Sequence, residues 1–299
     1  MTHTDEQITV RLTGSLTYPS VAIDMASAGL QVSAPPPNVT FDMAGVGFVE
    51  PSGVVMLHNL TRYLLSQGCN VFYGNYTVNR PGLTFLDGAG FFEDVLKKKA
   101  FSFTAPKATT LRLRQITSID AHGWVINEFL PWFASCSRRS LPALGHFGSC
   151  ISEIFNNIRD HSAYEVGSIF AQWYPNIDTL KLAIGDFGRG IPVNVATIEP
   201  HLTGALAIER AFDAGFSSRS TPKNRGAGLD FMRQNVCSIL RGTMKVYSGG
   251  AAVHVAQDGH ITHLHPILGN SGYTGTLFEI ELPTHNIATI TPDEEEMIW

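Results

Sequence analysis

The chain has 299 residues, 44% of them apolar and 16% charged, and carries a net charge of −5. That length suffices for two ordinary domains, and the composition argues against a disordered chain or a basic surface for nucleic acid or anionic membrane. Four scattered cysteines (Cys69, Cys136, Cys150, Cys237) without a CxxC pair argue against a disulfide framework or a zinc site.

Residues 1–10, MTHTDEQITV, lack the basic start and apolar run of a signal peptide, and no apolar stretch approaches membrane-spanning length. A soluble, cytoplasmic protein is expected. Residues 8–18 alternate as a strand or hairpin edge, and residues 20–32 suit a helix. Ala34-Pro35-Pro36-Pro37 then breaks the chain, because proline cannot continue a helix. Residues 38–43 have a buried-strand pattern. From Gly47 a loop leads into a helix with Val54, Leu57, Leu60 and Leu64 on its apolar face and Gly68 as its stop. Residues 69–73 read as another strand, and residues 79–96 as a turn and a last helix. Strands alternating with helices indicate an α/β layer.

Within that layer lies Phe48-Val49-Glu50-Pro51-Ser52-Gly53, a turn at a helix start. The order of elements and this turn resemble the STAS domain of anti-sigma-factor antagonists. The resemblance makes Ser52 a phosphoacceptor, since it matches the serine a partner kinase modifies in that family. A plain helix N-cap also explains a serine there. Lys97-Lys98-Lys99, the one basic run, is too short for more than a solvated linker.

Residues 101–117 form a transition ending in an edge strand, TLRLRQI, and a helical stretch follows over residues 120–137. Residues 151–162, ISEIFNNIRDHS, then set Ile151, Ile154, Phe155 and Ile158 on one stripe and Glu153, Asn157 and Asp160 opposite, with Asn156 beside them. A stripe backing a row of carboxylates and amides, with few long basic side chains, is an unusual use of a helix. A strand over residues 179–184 runs into Gly185-Asp186-Phe187-Gly188-Arg189-Gly190-Ile191-Pro192. An alanine-rich helix over residues 205–214 leads to a polar loop, GFSSRSTPKNRGAGL, and to a helix over residues 230–240. Strands over residues 246–257 and 260–264 join at Asp258-Gly259, a strong hairpin signal, and residues 274–283 are a final strand. An acidic tail, residues 286–299, is expected to fray at 293–296.

Four elements thus occur in order: ExxxN on a helix, DxGxGI after a strand, NRGAGL before a helix, and Gly-Thr on a late strand. Together they resemble the GHKL ATPase family, which includes gyrase-type ATPases, Hsp90, histidine kinases, MutL proteins and anti-sigma serine kinases. The resemblance covers roughly residues 141–283. It implies ATP and Mg²⁺ as cofactors, with Asn157 as metal ligand and Glu153 orienting or deprotonating a nucleophile. Asp186 accepts from the adenine amine, and Gly188 and Gly190 let the backbone pass beneath the base. Gly226 and Gly228 offer N–H groups to phosphate at a helix start. Thr276 supports Asp186, and residues 216–225 have a composition suited to a lid; Asp160 tunes the adenine side of the site or merely binds water, with the site role favoured. His161 reads equally well as a phosphate contact or as a helix-end histidine satisfied by its neighbours, and Arg189 and Arg219 read as phosphate or partner contacts, with solvated surface the default for both. His254 and His263 are expected to face each other across the hairpin, with His265 near, and sheet histidines need no metal.

The expected architecture is a STAS-like α/β domain over residues 1–100, followed over residues 105–285 by a GHKL (Bergerat-type) α/β sandwich with a mixed sheet and helices on one face. The expected function is an ATP-binding regulatory protein, a protein serine kinase or slow ATPase acting as a signalling switch. An ATP-gated conformational or dimerisation switch without phosphotransfer is the alternative. A sensor histidine kinase fits least, because His122-Gly123 and His146-Phe147 lack the acidic residue that follows a phosphoacceptor histidine. Expected partners are a protein of a signalling pathway, with a homodimer left open, and neither nucleic acid nor membrane.

Overall fold

The computed structural model describes residues 7–162, 165–216, 228–265 and 274–288, apart from the His161 side chain. The chain begins with β1 (Gln7–Leu16), where Val10, Leu12 and Leu16 turn inward and Thr9, Arg11 and Thr13 outward. α1 (Tyr18–Ser27) follows, started by a capping box in which Thr17 and Ser20 satisfy each other's backbone N–H groups. β2 (Asn38–Val49) and β3 (Asn70–Gly74) complete a three-stranded sheet, order β1-β2-β3, with both pairings parallel. Between them runs α2 (Pro51–Ser66), and α3 (Pro81–Gly88) and α4 (Phe91–Leu96) close the segment.

α2 departs from the expected one-sided helix. Val54, Leu57, Leu60 and Leu64 are buried as anticipated, but so are Val55, Met56, His58 and Asn59 on the other side. A helix buried on both sides, as α2 is over its first three turns, needs a covering layer on each. The second layer is a seven-stranded sheet formed by the rest of the chain, on which α2 packs along three strands.

That sheet consists of β4 (Thr110–Thr117), β5 (Val166–Tyr174), β6 (Thr179–Gly185), β7 (Thr243–Ser248), β8 (Ala251–Val255), β9 (Ile261–Leu264) and β10 (Thr276–Pro283). Its order is β4-β5-β6-β10-β7-β8-β9. Every pairing is antiparallel, where a mixed sheet was expected. Short turns explain part of the difference, because strands joined by a tight turn must run in opposite directions. The expected strand over residues 246–257 is in fact two, divided at Gly249-Gly250, both with positive φ (57° and 79°). β5 carries no apolar/polar alternation because it is buried on both faces, so no period marks it in the sequence.

The remaining helices are α5 (Ala121–Trp124), running through a π-helical turn (Val125–Phe129) into α6 (Leu130–Ser137), then α7 (Gly145–His161), α8 (Ile191–Ala196), α9 (Gly204–Arg210) and α10 (Gly228–Met232). One core lies between these helices and the sheet: Phe129, Phe133, Phe147, Ile154 and Phe155 meet Ile169, Trp173, Leu182 and Ile280. The opposite face contributes Phe170, Ala183, Tyr247 and Leu277 to the core shared with α1 and α2. The helices of residues 105–285 therefore cover one face, as expected, and the N-terminal segment covers the other.

The junction is pinned as well. Buried Asp87 of α3 accepts the N–H groups of Ala100 (2.7 Å) and Phe101 (3.2 Å) and the hydroxyl of Thr104.

A shared core has a measurable consequence. All four tryptophans (Trp124, Trp132, Trp173, Trp299) lie beyond residue 105. Leu60→Ala removes a fully buried side chain of α2 and should cost about 2–5 kcal/mol. That loss should appear in urea unfolding followed by tryptophan fluorescence. An unmoved tryptophan transition would mean that α2 belongs to an independently stable unit.

Candidate functional site

α7 begins six residues before the expected start, led in by a turn of 3₁₀ helix (Pro142–Leu144) that continues into Gly145. Ile151, Ile154, Phe155 and Ile158 are buried against the sheet, the stripe read from the sequence. Glu153, Asn156, Asn157 and Asp160 are half-buried on the other side of the helix.

Glu153 accepts from the Asn156 amide at 3.3 Å. Burial holds its carboxyl above the ordinary carboxylate range; the Asn156 donor works against that shift and the Asp160 charge adds to it. Asp160 itself pairs with Arg159 (Nε to Oδ1, 3.0 Å). Asp160 lies two turns beyond Glu153 on the same helix, and its charge raises that carboxyl's proton affinity. The Nδ2 of Asn157 is buried and has no hydrogen-bond partner among the described residues. Gly228, at the start of α10, lies so close to Glu153 that a Cβ there would run into the carboxylate. Two motifs 75 residues apart in sequence are in contact. Gly226, Arg219, the remainder of the expected lid and the tail beyond residue 288 lie outside the described residues.

Asp186 follows the last residue of β6, where its N–H donates to the Thr276 carbonyl at 2.9 Å. The side chain is buried, and its Oδ1 accepts the Gly188 N–H at 2.6 Å. The Ser162 hydroxyl, at the C-terminal end of α7, also donates to this carboxylate. Ser162 therefore joins the end of the carboxylate-bearing helix to the end of β6. Burial pushes the Asp186 carboxyl up to about 6, against the Gly188 and Ser162 donors and the backbone N–H groups of Thr276 and of Asp186 itself, which favour its ionised form.

The glycines are set by contact. A Cβ at Gly188 would strike Ser162 and the Asp186 carboxylate, and one at Gly275 the Asp186 backbone. Gly190 adopts φ +79°, and a Cβ there would lie 2.6 Å from the Thr274 carbonyl. Thr276 supports Asp186 through its backbone carbonyl, while its hydroxyl lies 2.9 Å from that of Ser248. Ser248 also donates to the Gly275 carbonyl (2.9 Å) and accepts the Ile191 N–H (2.8 Å), so it ties three segments of the site together. Neither Ser162 nor Ser248 stands out in the sequence. The signals they carry are weak: a polar residue closing a helix and one preceding a Gly-Gly turn.

Other expected residues lie apart. Ser52 is not an N-cap: Glu50 takes that position without a side-chain cap, and Ser52 lies within the first turn of α2. Its hydroxyl is buried and accepts the Tyr18 N–H at 3.3 Å. His254 stands opposite Thr262, and His263 opposite Val253, so the two histidines do not face each other. His263 instead pairs with Glu209 at 2.6 Å. No group of three or more His, Cys, Asp or Glu side chains suited to a metal ion occurs among the described residues. Arg189 is exposed. No helix among the described residues is long and apolar enough to cross a membrane.

No protein-family model and no curated protein matches the chain. Among solved structures, it is similar to the 43K ATPase domain of Thermus thermophilus gyrase B in complex with an aminocoumarin, at 17% identity over 50% of this chain and 38% of that one, with a TM-score of 0.28. It is also similar to the ATP-binding domain of Francisella tularensis topoisomerase IV in complex with a small-molecule inhibitor, at 17% identity over 43% and 34% of the two chains, with a TM-score of 0.24. The chain thus spans well under half the length of either solved chain. Likenesses this distant say nothing of activity, which rests on the residues themselves.

Asp186 gives the site a pH signature in the free protein. Its folded-state value of about 6 lies above the ordinary 3.8, so between those limits the folded state holds the proton that the unfolded state has lost. Stability therefore falls as pH rises from about 4 to 6, by on the order of 3 kcal/mol in total from this group. Asp186→Asn should remove that share of the slope, leaving the share of Glu153, whose carboxyl burial also raises, and should be at least as stable as the parent at pH 7. Urea unfolding at pH 4, 5, 6 and 7 checks both.

Proposed function

We propose that the chain is an ATP-binding regulatory protein of the GHKL type that uses Mg²⁺ and hydrolyses ATP slowly as a switch. The observation that carries this reading is the Asp186 carboxylate, buried at a strand end among glycines too close-packed to accept a Cβ. A buried carboxylate is costly unless a donor meets it. The adenine amine is such a donor, whereas guanine presents a carbonyl oxygen at the same ring position. Asp186 accordingly selects adenine nucleotides over guanine nucleotides.

The other residues fit a nucleotide and a hard cation. The Asn157 carboxamide is half-buried with its nitrogen unsatisfied, and rotation about its last bond would offer the oxygen instead. One such oxygen suits Mg²⁺, which retains several waters and takes few protein ligands. The bound ion would neutralise phosphate charge. Glu153, one turn before Asn157, takes the proton of an attacking water, and its raised proton affinity makes it a better base near neutral pH. Asp160 acts through Glu153, and Thr276 and Ser248 act by holding the backbone around Asp186. The burial of Ser52 favours water, or a hydroxyl of another protein, over this chain's own serine as phosphate acceptor.

Calorimetric titration with ATP and Mg²⁺ tests the binding. Asp186→Asn should weaken it by about 1.5–3 kcal/mol, the scale of a charge-assisted hydrogen bond. In the parent, affinity should fall below about pH 6, where Asp186 takes up its proton, and approach a tenfold loss per pH unit. Unchanged affinity on either count would remove Asp186 from the site.

Incubation with γ-labelled ATP tests the chemistry. The parent should release label as free phosphate and carry none on Ser52. Glu153→Ala should keep its nucleotide affinity and lose turnover by about 10²-fold or more. Label retained in ATP by the parent would reduce the function to nucleotide sensing.

A further inference from the structure

α2 lies on the face of the large sheet opposite α7. Its side chains meet that sheet directly behind the residues of the nucleotide site. The Tyr63 ring stacks on Phe187 with centroids 4.3 Å apart and planes 22° from parallel. Phe187 stands between Asp186 and Gly188, so its ring is anchored to α2 while its neighbours form the Asp186 hydrogen bond. Five residues earlier on α2, the fully buried His58 places Nδ1 2.8 Å from the Ser168 hydroxyl. Ser168 pairs across the sheet with Gly185, the residue before Asp186. The other ring nitrogen of His58 lies 2.7 Å from Asp94 of α4. A third contact comes from α1, where Tyr18 stacks on Tyr247 at 3.8 Å and 18°. Tyr247 immediately precedes Ser248, whose hydroxyl holds Gly275 and Thr276.

Three side chains of the N-terminal segment therefore each back a residue adjacent to a key group of the site. Each contact is an aromatic stack or a buried hydrogen bond, whose geometry is lost on a small displacement. Leaving Ser168 or His58 unpaired in the core is costly, so the polar contact resists sliding of α2 along the sheet.

We infer that the N-terminal segment is a built-in effector of the nucleotide site, with Tyr63 and His58 as positioning residues that hold the Asp186 loop in its binding shape. This rests on the reading of Asp186 as the adenine acceptor. Coupling of this kind is reciprocal: what the N-terminal segment contributes to nucleotide affinity, the nucleotide returns as protection of that segment.

Hydrogen exchange followed by mass spectrometry, with ATP and Mg²⁺ as the probe, tests the inference on the intact chain. In the parent, nucleotide should slow exchange in α2 and β2, across the sheet from the site. Tyr63→Leu should lower ATP affinity by about 5–10-fold and erase that protection, and Tyr63→Phe, which keeps the ring, should restore both. A purely structural role for Tyr63 would lower stability without moving the nucleotide-dependent protection. Parent protein that binds ATP with exchange in α2 unchanged overturns the inference alone, and needs no variant that might misfold. Parent protein that fails to bind ATP overturns the adenine-acceptor reading and this inference with it.

Discussion

The structure depends on a sheet that carries apolar side chains on both faces. β5, β6 and β10 present Ile169, Leu182 and Ile280 to one side and Phe170, Ala183 and Leu277 to the other, all buried. An antiparallel sheet can leave one face to water, but only if that face is polar. Here the first face is apolar, and the second mixes Phe170, Ala183 and Leu277 with Ser168, Lys181 and Glu279, so its apolar residues need a covering layer as well. α5, α6, α7 and α10 supply one, and α2 with its flanking helices supplies the other. The burial of α2 on both sides over its first three turns follows from the same constraint.

The chemistry of the site grows from that packing. Asp186 sits at the end of a strand held on both sides, so its carboxylate can neither turn to water nor escape its neighbours. Its proton affinity rises because burial outweighs the Gly188, Ser162 and backbone donors that favour charge. Glu153 is shifted in the same direction by the same cause, from a helix rather than a strand. The two carboxylates belong to different elements, and Ser162 is the joint between them, ending α7 while donating to Asp186. Ser248 does similar work on the far side, linking β7 to the start of β10 and to the backbone at Ile191. Small hydroxyls thus fix the relative positions of the larger functional groups.

The N-terminal segment reads differently by sequence and by structure. Its alternation of strands and helices, and its parallel pairing, follow from local pattern and crossover length. The phosphoacceptor reading of Ser52 rested on a short motif at a helix start. The structure puts that hydroxyl against the Tyr18 backbone in the core, a consequence of the sheet that α2 packs against.

Much of the site was legible in the chain because its requirements are local. The stripe of Ile151, Ile154, Phe155 and Ile158 is dictated by helical period, and Glu153 and Asn157 share the opposite face through their spacing of four. Gly188 and Gly190 appear as glycines because a Cβ at either would strike its neighbours, and Gly190 also has a positive φ. The Asp258-Gly259 turn was readable for a similar reason. What tertiary structure alone decided is everything that depends on a second segment. β5 has no period because both its faces are buried. Ser162 and Ser248 are unremarkable serines until Asp186 and Thr276 are brought to them. The contact between Gly228 and Glu153, and the stack of Tyr63 on Phe187, join positions far apart in the chain. Sequence determined which face of each element would be apolar, since period is a property of the element itself. Which element would cover that face is a property of the pair, and only the folded chain decides it.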